Sequence, residues 1–298
     1  MSTAFAMPEL LGVVDWVVVR VVRNVGAEWQ FYAMLSLALV IAVGADLIQR
    51  RNIVAKYTSR NVRTDMLYAV LELSHLEALL LLAPVAAALN AAIDASAPWL
   101  RLGAFAALPF WIKLVVLFVA ADFLGYWFHR LKHASPWFWQ FHKVHHSQSQ
   151  LTVFTRFRFP MLDRLLDMLL LFPLGVIAGS TVLPIALYLL VAFRSCIEHS
   201  GIDWSFGPLG RLIVSPNFHA THHSTAPEHV DRNFANSLAI WDHMFGTFVE
   251  KGDKPLSYGL AHETIPETFV AGQWAPVAGL WTLARQKLFP ASVREPAA

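Results

Sequence analysis

The run LPFWIKLVVLFVAADFLGYWFHRLKH (residues 108–133) decides how the rest of the chain is read. From Leu108 to Phe128 it is apolar apart from Lys113 and Asp122, close to the ~20 residues a helix needs to cross a bilayer. It then runs directly into two histidines, His129 and His133, four residues apart. At that spacing both imidazoles sit on one face of a helix leaving the membrane.

Two further apolar runs of spanning length extend from Trp29 to Ile48 and from Met66 to Leu89. A fourth, Met161 to Phe193, is too long for one pass and is interrupted by Pro173 and Pro184. It reads as two short helices joined near Gly179 and Ser180, a hairpin that enters and leaves one face. The expected fold is therefore all-α: an integral membrane helical bundle of three full spans plus a two-helix hairpin, with a His-rich cap that holds two metals. Val13 to Val25, carrying Arg20 and Arg23, reads as an interfacial helix rather than a cleaved signal, and the tail from Ile265 to Lys287 as a surface-lying helix. The expected divisions are an N-terminal membrane segment (1–105), a catalytic domain (106–250) and a cytoplasmic or interfacial tail (251–298).

Composition agrees with this plan. Of 298 residues, 56% are hydrophobic and 15% charged, where about 25% charged is usual for soluble domains. With a net charge of +2 the chain has neither the make-up of a disordered segment nor the basic footprint of a nucleic-acid binder, so no nucleic-acid partner is expected. A single cysteine, Cys196, excludes an internal disulfide, a Cys-based zinc site and a cysteine-ligated cluster. Basic residues set the orientation. The loop after the first run holds Arg50, Arg51, Lys56, Arg60 and Arg63, and the segment after the third holds Arg130, Lys132, Lys143, Arg156, Arg158 and Arg164, whereas the loop between the second and third offers only Arg101. Both rich segments are expected to face the cytoplasm, which puts every histidine cluster on that side. The terminus VREPAA lacks an ER retrieval signal, and a bacterial inner membrane is the expected location.

Ten of the 13 histidines fall between 129 and 229. Besides HRLKH (His129, His133) there are two H-x-x-H-H groups, HKVHH (His142, His145, His146) and HATHH (His219, His222, His223), with His199 in CIEHSG as an outlier. Positions i, i+3 and i+4 of a helix share a face, so each triplet can offer up to three nitrogens to a common point. Nine such ligands are too many for one tetrahedral metal and suit two metals with open positions. The alternative, a set of hydrogen-bonded core histidines, would bury eight polar rings together at about 1–3 kcal/mol for each left unpaired. Asp122 and Tyr126 lie on the stripe of His129, and Asp122 is the expected acceptor for a ligand histidine's second N–H. His75, beside Glu72 and Glu77 within the second run, is either an intramembrane site residue or a packing residue. His229, His243 and His262 read as surface residues.

Imidazole alone does not choose among iron, copper, zinc and nickel. The stretches DFLGYWFHRLKH (122–133), WFWQFHKVHHS (137–147), HSGIDW (199–204), SPNFHATHHS (215–224) and NFANSLAIWDHMFGTF (233–248) closely resemble the fatty acid hydroxylase / sterol desaturase superfamily of membrane non-haem di-iron enzymes. The resemblance covers nearly half the chain. It implies two iron ions held by His129, His133, His142, His145, His146, His219, His222 and His223, with His199 a ninth ligand, and with Asn233, Trp241 and Asp242 buttressing the site. It further implies a monooxygenase that uses dioxygen and electrons from a separate electron-transfer protein to hydroxylate a C–H bond of a membrane lipid, fatty-acyl or sterol-like. Desaturation of a sterol or similar lipid, and ether-lipid cleavage, are alternatives with the same centre. From another class, a membrane zinc protein, hydrolase or metal carrier, is the alternative.

Two stretches depart from the family pattern. RFRFPMLD carries Phe159 and Asp163 where the family often has His and Glu, and NFA carries Phe234 and Ala235 where Tyr and Gly are familiar. The aromatics Trp127, Trp137, Phe138, Trp139 and Phe141 fit an interfacial belt.

Overall fold

A computed structural model describes residues 32–100, 105, 107–178, 182–260, 263–265 and 267–288, with the side chains of 178–189 left aside. The interfacial helix expected at Val13–Val25 lies outside the described residues, as does His262. Among the described residues every regular element is helical, and strand-like pairing is limited to two isolated bridges, Ile213 to Leu238 and Ser224 to Tyr258.

The order is α1 (Tyr32–Ile48), α2 (Ile53–Tyr57), α3 (Arg60–Leu73), α4 (Ala78–Ser96, its first turn wound as a π-helix), α5 (Phe110–Ala134), α6 (Pro136–His146), α7 (Met161–Ala178), α8 (Val182–Glu198), α9 (Pro216–His222), α10 (Ile240–Phe245) and α11 (Phe269–Leu288). Two of these, α4 and α5, are long and apolar enough to cross a membrane; α1 spans 17 residues and is shorter. α4 buries none of its apolar window, and α5 points Trp111, Ile112, Val115 and Val116 outward. Apolar faces of this extent suit lipid rather than water.

The second expected span is corrected. Met66 to Leu89 is not one helix: α3 ends at Leu73, the chain turns at Ser74 and His75, where His75 takes a φ of 57°, and helix resumes at Ala78. The polar cluster at the break explains it. Glu72 pairs with Arg156 and Arg164, and Glu77 with Arg164, bonds an unbroken lipid-facing helix would not direct inward. α3 therefore belongs to the protein core, burying Tyr68 and Ala69 against Val144, Phe157 and Ala192. Asp65 of α3 pairs with Arg158 at 2.7 Å in a fully buried contact. The fourth apolar run is divided into two helices, α7 and α8, with Pro173 kept inside α7, and the expected turn at Gly179 and Ser180 lies outside the described residues.

Both H-x-x-H-H helices start the same way. In α6 the Ser135 hydroxyl accepts from the Phe138 N–H with Pro136 in the first turn, and in α9 Ser215 accepts from Phe218 with Pro216 in the first turn. A Ser cap followed by Pro defines where each helix begins, and so fixes the rotational position of the histidines behind it. The tail helix α11 packs on α6 and α3. Gly272 and Gly279, two turns apart on one face, let it approach: a Cβ at either would collide with Tyr68 or Gln140.

Candidate metal centre

Four segments deliver nine histidines to one buried region: α5 (His129, His133), α6 (His142, His145, His146), the residue after α8 (His199), and α9 with its cap (His219, His222, His223). They form two groups. His129, His133, His142, His146 and His222 each offer a nitrogen within 4.8 Å of the others, and His145, His199, His219 and His223 do the same.

The grouping differs from the sequence expectation that each triplet aims at one point. In α6, His142 and His146 go to the first group and His145 to the second; in α9, His219 and His223 go to the second and His222 to the first. At about 100° per residue, positions i and i+4 lie ~40° apart, whereas i+3 and i+4 lie ~100° apart. Each helix therefore serves both groups from adjacent faces, and α6 and α9 together bridge them.

The donor chemistry fits two cations. The Nε2 atoms of His133 and His146 lie 3.2 Å apart, His222 and His146 3.1 Å, His199 and His145 3.1 Å, His219 and His199 2.8 Å, and His223 and His219 3.1 Å. Nitrogens sharing an ion at about 2.0–2.1 Å fall at such mutual distances. In three of the rings the inward nitrogen is a bare lone pair, because the opposite ring nitrogen already donates: His129 Nδ1 to Phe234 O (2.8 Å), His222 Nδ1 to Arg232 O (2.8 Å) and His199 Nδ1 to Ser195 O (2.8 Å). His129 Nε2 and both nitrogens of His142 are buried without a hydrogen-bond partner. Such an array is costly without cations and is satisfied by them.

Protonation points the same way. Burial, and then the neighbouring imidazoles, hold His142, His145, His146, His219, His222 and His223 well below their ordinary value, and burial takes His199 down to about 3. Neutral imidazole is the metal-binding form.

The loop from Asp231 to Ala235 organises the first group. Asp231 Oδ1 lies 3.2 Å from His133 Nδ1, and the carbonyls of Arg232 and Phe234 take the Nδ1–H of His222 and His129. Asp242 in turn holds the loop, accepting from Phe234 N (2.8 Å), Ala235 N (2.7 Å) and Thr247 Oγ1 (2.6 Å). Asn233, with a φ of 57°, ties the same loop to Val249 and Phe218 through its amide.

The expected role of Asp122 is corrected. Its Oδ2 accepts from Trp241 Nε1 (2.8 Å) and Leu238 N (2.9 Å), while His129 turns to a backbone carbonyl. Asp122 thus anchors the segment that contains Trp241. Tyr126 bonds to Thr247 Oγ1 at 2.9 Å and stacks on Phe245, below the histidines. Two partners had no role in the sequence reading: Asp231, which it did not name, and Asp163, noted only as a departure from the family pattern, whose Oδ2 lies 3.5 Å from His142 Nδ1 and whose Oδ1 pairs with Lys132 at 2.5 Å. Asp163 and Asp231 are thus two carboxylates facing the first group. Phe159 stacks flat on His145, ring centroids 4.2 Å apart.

Outside the two groups, His229 is buried and contacts Ser224 Oγ at 3.0 Å, contrary to its surface expectation. His243 is exposed and stacks on Phe248. His75 joins neither group but lines the adjoining cavity of about 620 Å³. That cavity reaches His129, His142, His145, His199 and His219, and its apolar wall includes Leu82, Phe118, Leu171 and Val191.

Residues 114–247 match the model of the fatty acid hydroxylase family. Among curated proteins, the chain is 32% identical over 145 residues to the alkylglycerol monooxygenase of Xenopus tropicalis, covering 49% of this chain and 32% of that one. It is 30% identical over 165 residues to the human alkylglycerol monooxygenase (55% and 37%), and 34% identical over 143 residues to the ornithine lipid hydroxylase of Rhizobium tropici (47% and 43%). The matched segments thus span between about a third and less than half of these relatives. No solved structure matches.

Proposed function

From a chain that belongs, through residues 114–247, to the fatty acid hydroxylase superfamily, we propose a membrane di-iron oxygenase that hydroxylates a C–H bond of a membrane lipid. The observation that carries this reading is the pair of buried histidine groups opening onto a cavity with an apolar wall, in a chain with two helices of membrane-spanning length. His129, His133, His142, His146 and His222 would hold one iron, and His145, His199, His219 and His223 the other. Bound there, the two ions would supply dioxygen activation and C–H oxidation, with electrons from a separate transfer protein.

What the chain's own residues do follows from their positions. Leu82, Phe118, Leu171 and Val191 hold an apolar chain along the cavity and keep water from it. Fixing the target carbon decides which bond is attacked, and orientation of this kind is what the protein contributes to such chemistry. The carbonyls of Phe234, Arg232 and Ser195 keep the Nδ1 protons in place, so that Nε2 of His129, His222 and His199 faces inward. The catalytic domain is 106–250; the Lys and Arg distribution supports a cytoplasmic active face, and the Ala-, Leu- and Arg-rich composition a bacterial inner membrane.

The test is metal content. Protein expressed in iron-replete medium and purified in detergent is expected to carry about two irons per chain, and His145→Ala/His222→Ala, one ligand from each group, is expected to lose them. Stoichiometric zinc without iron under the same conditions would replace this reading with a zinc protein.

A further inference from the structure

The cavity beside the histidines is not uniformly apolar. Its wall also gathers charge from separate segments: Arg156 pairs with Glu72 at 2.7 Å, Arg164 with Glu72 and Glu77, and Arg194 with Glu198 one turn along α8. Each guanidinium is engaged by a carboxylate, yet the carboxylates keep acceptors to spare. Asp122 Oδ1 and Glu77 Oε1 have no hydrogen-bond partner, in residues only 5% and 3% exposed. Arg194 Nε is likewise without an acceptor. Among the described residues the cavity wall carries five carboxylates against four Lys and Arg side chains, more acidic groups than basic ones.

A buried acceptor without a donor is costly, and more so when it is charged. A ligand that donates to Asp122 and Glu77 removes that cost, whereas a carboxylate or phosphate brought to the same wall can accept from Arg194 Nε but leaves both acceptors unmet and meets further anions. We infer that the cavity takes an amphiphile whose polar head donates hydrogen bonds, through hydroxyl or ammonium groups, to Asp122 and Glu77, in preference to one headed by a carboxylate or phosphate. Its tail runs along Leu82, Phe118, Leu171 and Val191. A hydroxyl also accepts, which suits Arg194 Nε. Asp122 and His129 line the same cavity and lie two turns apart on α5, about 10 Å along the axis. A head seated on Asp122 therefore presents carbons close to itself, rather than the far end of the tail, to the histidines. That last step rests on the lipid-oxygenase reading; the headgroup preference does not.

The experiment uses the metal-loaded protein in nanodiscs and four probes with one hexadecyl tail: 1-O-hexadecylglycerol, hexadecylamine, palmitate and hexadecyl phosphate. Equilibrium binding is expected to favour the glycerol or the amine probe over both acids by about tenfold or more, and the two arms separate hydroxyl from ammonium recognition. Glu77→Gln and Asp122→Asn are each expected to shrink that preference severalfold. Glu77→Gln leaves the Trp241 anchor untouched and so reports on recognition even where Asp122→Asn perturbs folding. Equal binding of all four probes, tighter binding of either acid, or a preference that survives Glu77→Gln would overturn the inference. Dioxygen-dependent product is scored separately. Selective binding without product removes the oxygenase reading and leaves the headgroup preference standing, while products from palmitate as readily as from the glycerol probe do the reverse.

Discussion

His129 donates its Nδ1–H to the carbonyl oxygen of Phe234 across 2.8 Å, a contact between residues 105 positions apart. It makes the short loop after Val230 part of the histidine site, because the same loop receives His222 and faces His133. A ligand histidine held by its second nitrogen has one tautomer and one orientation, so the state of this loop is expected to govern the first histidine group.

Asp242 is where that dependence can be tested. Asp242→Ala strips the buried N–H groups of Phe234 and Ala235 of their acceptor, at about 1–3 kcal/mol each. The variant is expected to melt several degrees lower and to bind metal about 10–100-fold more weakly at the first group. Thermal unfolding and metal retention against a graded chelator series measure the two effects; unchanged retention in a folded variant contradicts the role of the loop.

Lys132, Asp163 and His142 form a second test. Lys132 is buried between Asp163 (2.5 Å) and Asp167 (2.7 Å), and Asp163 also faces His142. Asp163→Leu leaves the cation with the half-exposed Asp167 alone and is expected to cost about 3 kcal/mol or more. Lys132→Met/Asp163→Leu removes the stranded charge and is expected to recover most of the stability. If Asp163 orients His142, metal affinity stays about 10–100-fold low in both variants. Recovery of affinity together with stability would reduce Asp163 to a partner of Lys132.

The metal-free protein is expected to be labile to acid. His199 is held at about 3 by burial, against an ordinary 6.5, so the unfolded chain takes up its proton before the folded one does. The stability it contributes is complete above pH 6.5 and is lost progressively as pH falls toward 3. At pH 5 the loss from His199 alone is about 2 kcal/mol, and the other depressed histidines act in the same direction. Melting curves of chelator-treated protein between pH 7.5 and 5 should fall steeply, while metal-loaded protein should hold until protons displace the metal. Parallel curves for the two forms would contradict metal binding through these rings.

The histidine spacing was legible because a helix converts i, i+3 and i+4 into one surface, and Ser135-Pro136 and Ser215-Pro216 mark where those helices begin. The partition into two groups was less so, since it depends on how α6 and α9 face each other across the site. Most of the supporting acceptors were out of reach: Phe234, Arg232 and Ser195 act through backbone carbonyls, which no side chain advertises. Asp122 looked like the acceptor for His129 on helical stripe alone, but the indole of Trp241 takes it instead. The break in the second apolar run had a signal that hydropathy averaged away, the four polar residues Glu72, Ser74, His75 and Glu77, with arginines elsewhere in the chain to meet the carboxylates. His229 was read as surface because its partner, Ser224, sits across a turn that spacing does not reveal.

The central claim, oxidation of a lipid C–H bond at the histidine site, is tested most directly by isotope tracing. Iron-loaded protein is given a chemical reductant and membrane lipid under ¹⁸O₂ in ordinary water, and in parallel under ordinary dioxygen in H₂¹⁸O. The account predicts a lipid product heavier by one ¹⁸O only in the ¹⁸O₂ arm, and its loss in His145→Ala/His222→Ala. Label arriving only from water, or lipid unchanged in both arms, would contradict it.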